Sequence, residues 1–190
     1  MSSLDYFIKF PFFDLGDFLL RELKETDALH YLMYMGHPEV SKNVPEYLVP
    51  KSLEHAHLEL RYWRDLFSSR KGFFWGIARK NNNKLIGTIG FNFINFFNKK
   101  GEINYDLSPD YWGKGIMSMA LAQVMDFSNS IGLVRVQATV LEDNARSIKL
   151  LESNGFVKEG LLQNYEYVGG NYLNSYMYAK VFGGKEVTEK

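Results

Sequence analysis

Two glycines lie between a strand-like segment and a long helical pattern, in the run Leu107-Ser108-Pro109-Asp110-Tyr111-Trp112-Gly113-Lys114-Gly115-Ile116-Met117. The first amides of a helix have no backbone partners and carry a partial positive charge, so they can bind an anion. Glycine lets a bulky phosphate approach the backbone and adopts dihedral angles that other residues avoid. Lys114 adds a positive charge. The run predicts either a phosphate site or a turn in which glycine serves geometry alone.

Two common nucleotide-binding loops do not fit this run. The P-loop pattern G-x-x-x-x-G-K-[ST] needs a glycine five residues before its second glycine, and neither Gly113 nor Gly115 has one there. The Rossmann fingerprint needs a third glycine, where Ser118 stands, and an acidic residue about 20 residues further on. Neither nucleotide fold is supported.

Composition narrows the other classes of function. The chain has 190 residues, 22 Lys plus Arg, 22 Asp plus Glu and no cysteine. Balanced charge predicts no direct nucleic-acid or membrane partner, and the lack of cysteine excludes disulfides and a cysteine nucleophile. His55 and His57 are two apart on a helical segment and face different ways, so we expect no metal site. We expect a soluble cytoplasmic protein, either a monomer or a homodimer.

Hydrophobic periodicity predicts the elements that position the turn. Strands are expected at Leu19–Leu23, Phe73–Arg79, Leu85–Phe93, Ile103–Leu107 and Val134–Val140, with one more on each side of Gly169-Gly170. Helices are expected after Thr26 or Asp27, after Ser52 (with Leu53, Ala56, Leu60, Trp63 and Phe67 on one face), over Ile116–Ile131, and from about Ala145 to near Gly155. We expect one domain over residues 1–190, with a frayed tail at about 183–190.

The order of these elements predicts the fold class. Only the strand, long helix and strand around the glycine turn have βαβ character, and the remaining connections favour antiparallel pairing. We therefore expect an α+β fold with a mixed, mostly antiparallel central sheet flanked by helices.

The glycine turn resembles the coenzyme turn of the Gcn5-related N-acetyltransferases (GNAT), often written Q/R-x-x-G-x-G/A. Its Tyr-Trp-Gly-Lys-Gly form is similar to the RimJ/RimL branch of ribosomal-protein N-acetyltransferases. Trp112 replaces the Gln or Arg, and Met117 replaces the final Gly or Ala. Further matching segments are Leu20-Arg21-Glu22-Leu23 with Asp27, Asn144-Ala145-Arg146-Ser147, Glu152-Ser153-Asn154-Gly155-Phe156, Glu159-Gly160 and Met177-Tyr178-Ala179-Lys180.

The resemblance implies a GNAT-like fold and an acetyl-CoA site built mainly from backbone. The pyrophosphate would lie on the amides of Gly113–Met117, and the pantetheine arm would pair like an extra strand with a strand that splays at a bulge. Asn144 would bind the coenzyme through its side chain, or serve as a helix N-cap, or do both. The implied coenzyme-binding residues are Tyr105, Asp106, Leu107, Trp112, Gly113, Lys114, Gly115, Ile116, Met117 and Asn144.

The same resemblance implies two catalytic residues. Many relatives use a tyrosine on the helix after the Asn to protonate the leaving thiolate, but Leu151 stands there in this chain. The RimJ/RimL branch offers Ser147 instead, and Glu166 in the penultimate strand as base. The alternatives are a local hydrogen bond for Ser147 and an exposed strand glutamate for Glu166. A backbone N–H near Leu107 would polarise the thioester oxygen.

The predicted function is therefore acetyl-CoA-dependent N-acetylation of an amine, with the N-terminal α-amine of a ribosomal-type protein as the favoured acceptor. The alternatives are acetylation of a small amine, such as a polyamine or an aminoglycoside, and a non-catalytic acyl-CoA-binding domain.

Overall fold

The computed structural model describes residues 5–183, so residues 184–190 of the predicted tail lie outside it. The strands are β1 Phe13–Leu15, β2 Phe18–Glu22, β3 Phe74–Arg79, β4 Leu85–Asn95, β5 Lys100–Leu107, β6 Arg135–Leu141, β7 Val157–Val168 and β8 Asn171–Val181. The helices are α1 Ala28–Met35, α2 Pro38–Ser41, α3 Leu53–Ser68, α4 Ile116–Ser130 and α5 Ala145–Ser153.

All eight strands form one sheet, in the order β1-β2-β3-β4-β5-β6-β8-β7. Every neighbouring pair is antiparallel except β5 and β6, which are parallel and joined through α4. A parallel pair needs a crossover, and the long apolar helix supplies it. The expected α+β class and the single βαβ unit are confirmed.

Two hydrophobic clusters pack against the sheet. One contains the buried side of α4 together with Leu151 of α5, and the N-terminal aromatic residues pack against it. The other contains the buried residues of α1 and α3, where Trp63 stacks on Phe74 of β3 with ring centroids 4.2 Å apart. The helices α1 and α3 therefore pack on the sheet as a pair separate from α4 and α5, and together they form a wall beside the sheet.

The predicted elements are present, and two short ones were missed. The strand β1 has three residues, which is too short for an alternating pattern, and α2 is a single turn. Ser52 caps α3 as expected, because its side chain accepts from the amide of His55. Leu53 was expected on the buried face of α3 but is exposed, since it lies in the first turn.

Asp27 does not cap α1 through its side chain. Its carboxylate instead receives two hydrogen bonds of 2.8 Å from the Arg21 guanidinium and one of 2.8 Å from the Lys24 amide. Arg21 also donates to the side chain of Asn83 in the β3–β4 turn, at 2.7 Å. This buried pair joins β2, the start of α1 and the neighbouring hairpin.

Candidate active site

The sheet opens between β5 and β6. The two strands pair only at Lys100–Arg135, Gly101–Val136 and Glu102–Gln137, and they separate beyond that point. The Gln137 amide donates to the Glu102 carboxylate at 3.0 Å, at the last paired position. On the other side of β5, the register of β4 shifts between Phe91 and Phe93. The expected splay is present, because β5 and β6 pair at only three positions. The bulge lies on the neighbouring strand β4, and a bulge bends and twists a strand.

The glycine turn leads from β5 into α4. Gly113 and Gly115 both have φ of +73°, and a Cβ built on either residue meets nothing within 4 Å. Gly115 is the N-cap of α4 and provides no side-chain cap, so the first amides of a 15-residue helix have no side-chain acceptor from that residue. The open space and the amides fit a pyrophosphate group.

The other residues of the turn hold its shape. The indole of Trp112 donates to the carbonyl of Leu107 at 2.8 Å, and the Arg146 guanidinium lies 4.1 Å from the indole ring centre. Lys114 donates to the Asp110 carbonyl at 2.6 Å. The side chains of Ile116 and Met117 are buried in the core, so these two residues present only backbone at the turn.

Asp106 uses its carboxylate for a structural role. It accepts the Tyr34 hydroxyl at 2.6 Å, the Thr88 amide at 2.9 Å and the Thr88 hydroxyl at 2.7 Å. Burial raises the pKa of Asp106 to about 6, although these hydrogen bonds lower it. The carboxylate thus links α1 to β4 and β5. Because its oxygens are engaged in this way, Asp106 would contact a coenzyme through its backbone.

Ser147 contacts both Asn144 and Tyr105, and all three residues line one cavity. The Asn144 side chain accepts from the Ser147 amide at 3.2 Å, so its N-cap role is present. The hydroxyls of Ser147 and Tyr105 are 2.6 Å apart and hydrogen-bonded. Burial raises the pKa of Tyr105 to about 12, which keeps the phenol protonated. Leu151, in place of the usual tyrosine, is fully buried.

Glu166 is directed towards the cleft by a large bulge in β7. Leu162 pairs with Ser175 and Glu166 pairs with Leu173, so residues 163–165 stand opposite Asn174 alone. Asn164 has φ of +50°, and its amide donates to the Asn174 side chain at 3.0 Å. Glu166 is half-buried, and burial followed by the nearby negative charge of Glu102 raises its pKa. A raised pKa is what a carboxylate base requires.

A cavity of about 640 Å³ connects these groups. Its lining includes Tyr105, Asp106, Asn144, Ser147 and Glu166 from the predicted set. The turn residues 112–117 are not part of that lining. The helices α1 and α3, and the segment between α2 and α3, add lining residues that were not predicted from the sequence. These are Tyr31, Met35, Asn43, Val44, Pro45, Tyr47, Leu48, His55, Leu58, Glu59, Tyr62 and Trp63.

Glu59 is the one carboxylate among these additional lining residues. It lies on α3 between Ala56 and Trp63, at the spacing of that helix's buried face. Burial, and to a smaller extent the negative charge of Asp106, raise the pKa of Glu59 to about 7. A carboxylate on an apolar helix face was the signal available in the sequence.

Residues 5–183 show neither a cluster of metal ligands nor a membrane-spanning helix. Within that range, no group of three or more His, Cys, Asp or Glu residues is arranged to hold a metal ion. The same range contains no helix with the length and hydropathy needed to cross a bilayer.

Comparison with known proteins gives one family and several relatives. The model of the acetyltransferase (GNAT) domain matches residues 17–157. The chain is 31% identical to the uncharacterized N-acetyltransferase YoaA of Bacillus subtilis, over 90% of this chain and 97% of that one. It is 36% identical to the ribosomal-protein-serine acetyltransferase of Escherichia coli, over 52% and 56%. It is 30% identical to the spermidine N(1)-acetyltransferase of Vibrio cholerae, over 50% and 54%.

A solved structure shows the same fold. The ribosomal-protein-S5-alanine acetyltransferase of Vibrio fischeri superposes with a TM-score of 0.80 at 27% identity, over 90% of this chain and 96% of that one. The resemblance seen in the glycine turn is confirmed, because the matched family and this neighbour are both acetyltransferases.

Proposed function

This chain belongs to the GNAT acetyltransferase family and is an acetyl-CoA-dependent N-acetyltransferase, and from that premise we propose that its acceptor is the α-amine at a protein N-terminus. The half-buried carboxylate of Glu166, directed into the cavity, carries the proposal. Freeing an α-amine of pKa near 7.8 at pH 7 costs about 1 kcal/mol, whereas a lysine-like amine near 10.4 costs about 4.6 kcal/mol. One carboxylate base manages the first more readily than the second.

In the proposed reaction the acetyl thioester supplies the electrophilic carbonyl carbon. Glu166 takes a proton from the acceptor amine as the C–N bond forms, directly or through water. The Ser147 hydroxyl, which is hydrogen-bonded to the Tyr105 phenol, would donate a proton to the sulfur as the C–S bond breaks and would regain one from the phenol or from water. Holding the two reactants together contributes about 7–11 kcal/mol of the barrier reduction, which makes positioning the larger effect.

The geometry of the turn and of the open strand supports a set of proposed coenzyme contacts. The amides at Gly113–Met117 would bind the pyrophosphate, and the free edge of Tyr105–Leu107 would pair with the pantetheine arm. An amide of that edge, near Leu107, would polarise the thioester oxygen. Asn144 would add a side-chain contact besides its cap.

A small polycationic amine is the second candidate acceptor. The balanced charge of the whole chain did not suggest an acidic cleft, yet Glu59, Asp106 and Glu166 all line the cavity. None of the described residues that line it is lysine or arginine. This local negative charge and the similarity to a spermidine acetyltransferase both favour a polyamine as the second candidate acceptor.

The deciding experiment compares kcat/KM for short peptides with free N-termini, for spermidine and for an aminoglycoside. We expect the peptides to be preferred. A preference for spermidine of about tenfold or more, equivalent to about 1.4 kcal/mol, overturns the choice of acceptor and promotes the small-amine function.

A further inference from the structure

Three carboxylates reach the cavity from three different elements. Glu59 comes from α3, Asp106 from β5 and Glu166 from β7. The proposed reaction uses Glu166, and the fold uses Asp106, whose oxygens accept three hydrogen bonds from Tyr34 and Thr88. Glu59 is the one of the three with no role in either account.

The carboxylate of Glu59 has an unsatisfied oxygen. Its Oε2 is buried and has no hydrogen-bond partner among residues 5–183, although Tyr31 lies beside the group. Burying a polar atom without a hydrogen-bond partner costs free energy, and burying a carboxylate in this way costs more. An unpaired atom of this kind in a native site is therefore a candidate for pairing with a ligand. The raised pKa of Glu59 has the same physical origin.

A second orphaned atom lies on another wall of the same cavity. Ser175 of β8 is 1% exposed, and its hydroxyl oxygen has no hydrogen-bond partner in the described part of the chain. Ser175 pairs with Leu162, beside the bulge that directs Glu166. Two residues that each carry an unsatisfied polar atom, one on α3 and one on β8, thus line the same cavity, which fits a ligand that supplies hydrogen-bond donors at more than one point.

We propose that Glu59 binds a second positively charged group of the acceptor, apart from the amine that is acetylated. An ammonium supplies three N–H donors and the charge that an unpaired carboxylate lacks. The second ammonium is either a lysine side chain near the N-terminus of a protein acceptor or another nitrogen of a polyamine. This inference rests on the proposed amine acetylation and names the acceptor class as dicationic.

The test uses acceptors that differ only in the second charge. One pair is a peptide with lysine in its second position and the same peptide with norleucine there. The other pair is 1,4-diaminobutane and n-pentylamine. At about pH 8, where Glu59 is ionised, we expect wild-type kcat/KM to favour the dication by about tenfold or more in the preferred pair.

Glu59→Gln keeps the shape of the side chain and should remove this preference while changing kcat/KM for the monocation less than about threefold. Glu59→Met provides a second neutral variant of similar length if the glutamine variant unfolds. Glu54→Gln is the matched control, since Glu54 is exposed on the same helix and lies outside the cavity lining. That variant should keep the wild-type preference.

Calorimetric titration of each acceptor into protein saturated with coenzyme A measures the same preference without turnover. Equal affinity for dication and monocation, or a preference that survives Glu59→Gln, overturns the inference. If only the diamine is acetylated and Glu59→Gln abolishes its advantage, the inference holds while the protein α-amine proposal fails. If the norleucine and lysine peptides are acetylated equally well, the α-amine proposal stands and the role of Glu59 fails.

Discussion

Gly113 and Gly115 are required by backbone geometry, because both adopt a left-handed φ that L side chains rarely occupy. The open space where a Cβ would stand fits a second, proposed reason, which is access of a phosphate to the amides. Gly132, just after α4, has φ of +82° and equally open surroundings, but it lies away from the turn. The two reasons can therefore be separated by experiment.

Gly115→Ala should raise the Kd for acetyl-CoA by about tenfold or more, because its methyl group occupies the phosphate approach. Gly132→Ala introduces comparable backbone strain and should leave that Kd unchanged. Isothermal calorimetry gives both values, and unfolding midpoints report the strain that the two variants share. Wild-type affinity in Gly115→Ala removes the pyrophosphate from this turn.

Glu166→Gln should lower kcat by about 10²-fold or more and flatten the acidic limb of the pH–rate profile. The pKa of Glu166 is raised, so the base form is lost as the pH falls through a value above the ordinary carboxyl range. As the pH is lowered, wild-type activity should therefore begin to decline at a higher pH than the pH at which an ordinary glutamate becomes protonated. Glu159→Gln, on the exposed part of the same strand, is the control and should keep the profile.

Ser147→Ala should lower kcat more than it weakens coenzyme binding, since the hydroxyl is proposed to act on the leaving sulfur. Tyr105→Phe removes the hydroxyl that supports Ser147 at 2.6 Å and should give a smaller loss in kcat. Stopped-flow turnover and calorimetry separate the two effects. A loss confined to coenzyme affinity in Ser147→Ala makes this serine a binding residue.

Among the elements, the last strand pair shows how an irregularity serves the site. Without the bulge at residues 163–165, β7 would continue regular pairing with β8 and place Glu166 at a different position along the strand. Asn174 closes the bulge by accepting the Asn164 amide, and its own amide donates to Glu142 at 3.1 Å.

Asn174→Ala should lower kcat by about tenfold, because the bulge loses the side chain that fixes it and Glu166 loses its aim. Thermal stability should fall by only about 1 kcal/mol, the worth of a partly exposed hydrogen bond. Asn171→Ala removes a comparable hydrogen bond to Gly169 in the adjoining turn and should not alter turnover. Equal kinetic effects of the two variants contradict an aiming role for the bulge.

Periodicity predicted α3, α4, β5 and β6 because each has enough residues for a pattern to repeat. The strand β1 and helix α2 contain three and four residues and carry no such repeat. The Gly169-Gly170 turn predicted the last hairpin, but nothing local in Gln163-Asn164-Tyr165 marks a bulge. Register depends on the partner strand, which a sequence pattern does not specify.

The site residues that the resemblance marks, namely the glycine turn, Ser147 and Glu166, stay predictions, and the structure brings Ser147 and Glu166 to one cavity whose lining does not include the turn. Glu59 was missed, and Tyr105 was predicted only as a coenzyme-binding residue and not as a partner of Ser147, because each of the two interacts with a neighbour that is distant in the chain. The Tyr105 phenol reaches Ser147 across 42 positions, and Glu59 reaches Asp106 from another element. Only the folded arrangement shows that a strand tyrosine is hydrogen-bonded to Ser147, which lies four residues before the helix position where Leu151 replaces the usual tyrosine.

For the whole molecule, the wall formed by α1 and α3 is fixed to the sheet by polar links as well as by packing. Tyr34 donates to Asp106 at one point, and the Arg21–Asp27 pair holds the start of α1 at another. Arg21 and Asp27 are 6% and 3% exposed, so removing one charge leaves the other buried without compensation.

Asp27→Asn should lower the free energy of unfolding by about 3–5 kcal/mol, measured by urea denaturation. The comparison is Asp14→Asn, which breaks the exposed ion pair with Lys80 at 2.7 Å and should change stability little. Equal effects of the two substitutions would mean that the buried pair contributes no more than an exposed one.

The β7 bulge also bears on how the protein behaves in a crowded solution. β7 is one of the two outer strands of the sheet. It is twelve residues long, is exposed along most of its length, and carries Leu161, Tyr165 and Tyr167 on its surface. Long, regular apolar edges recruit strands from other chains and seed aggregation. Three unpaired residues in the middle of the strand interrupt that edge, and Lys158 and Glu159 add charge at one end. The bulge that directs Glu166 towards the cavity therefore also makes the β7 edge of the sheet a poor template for another chain.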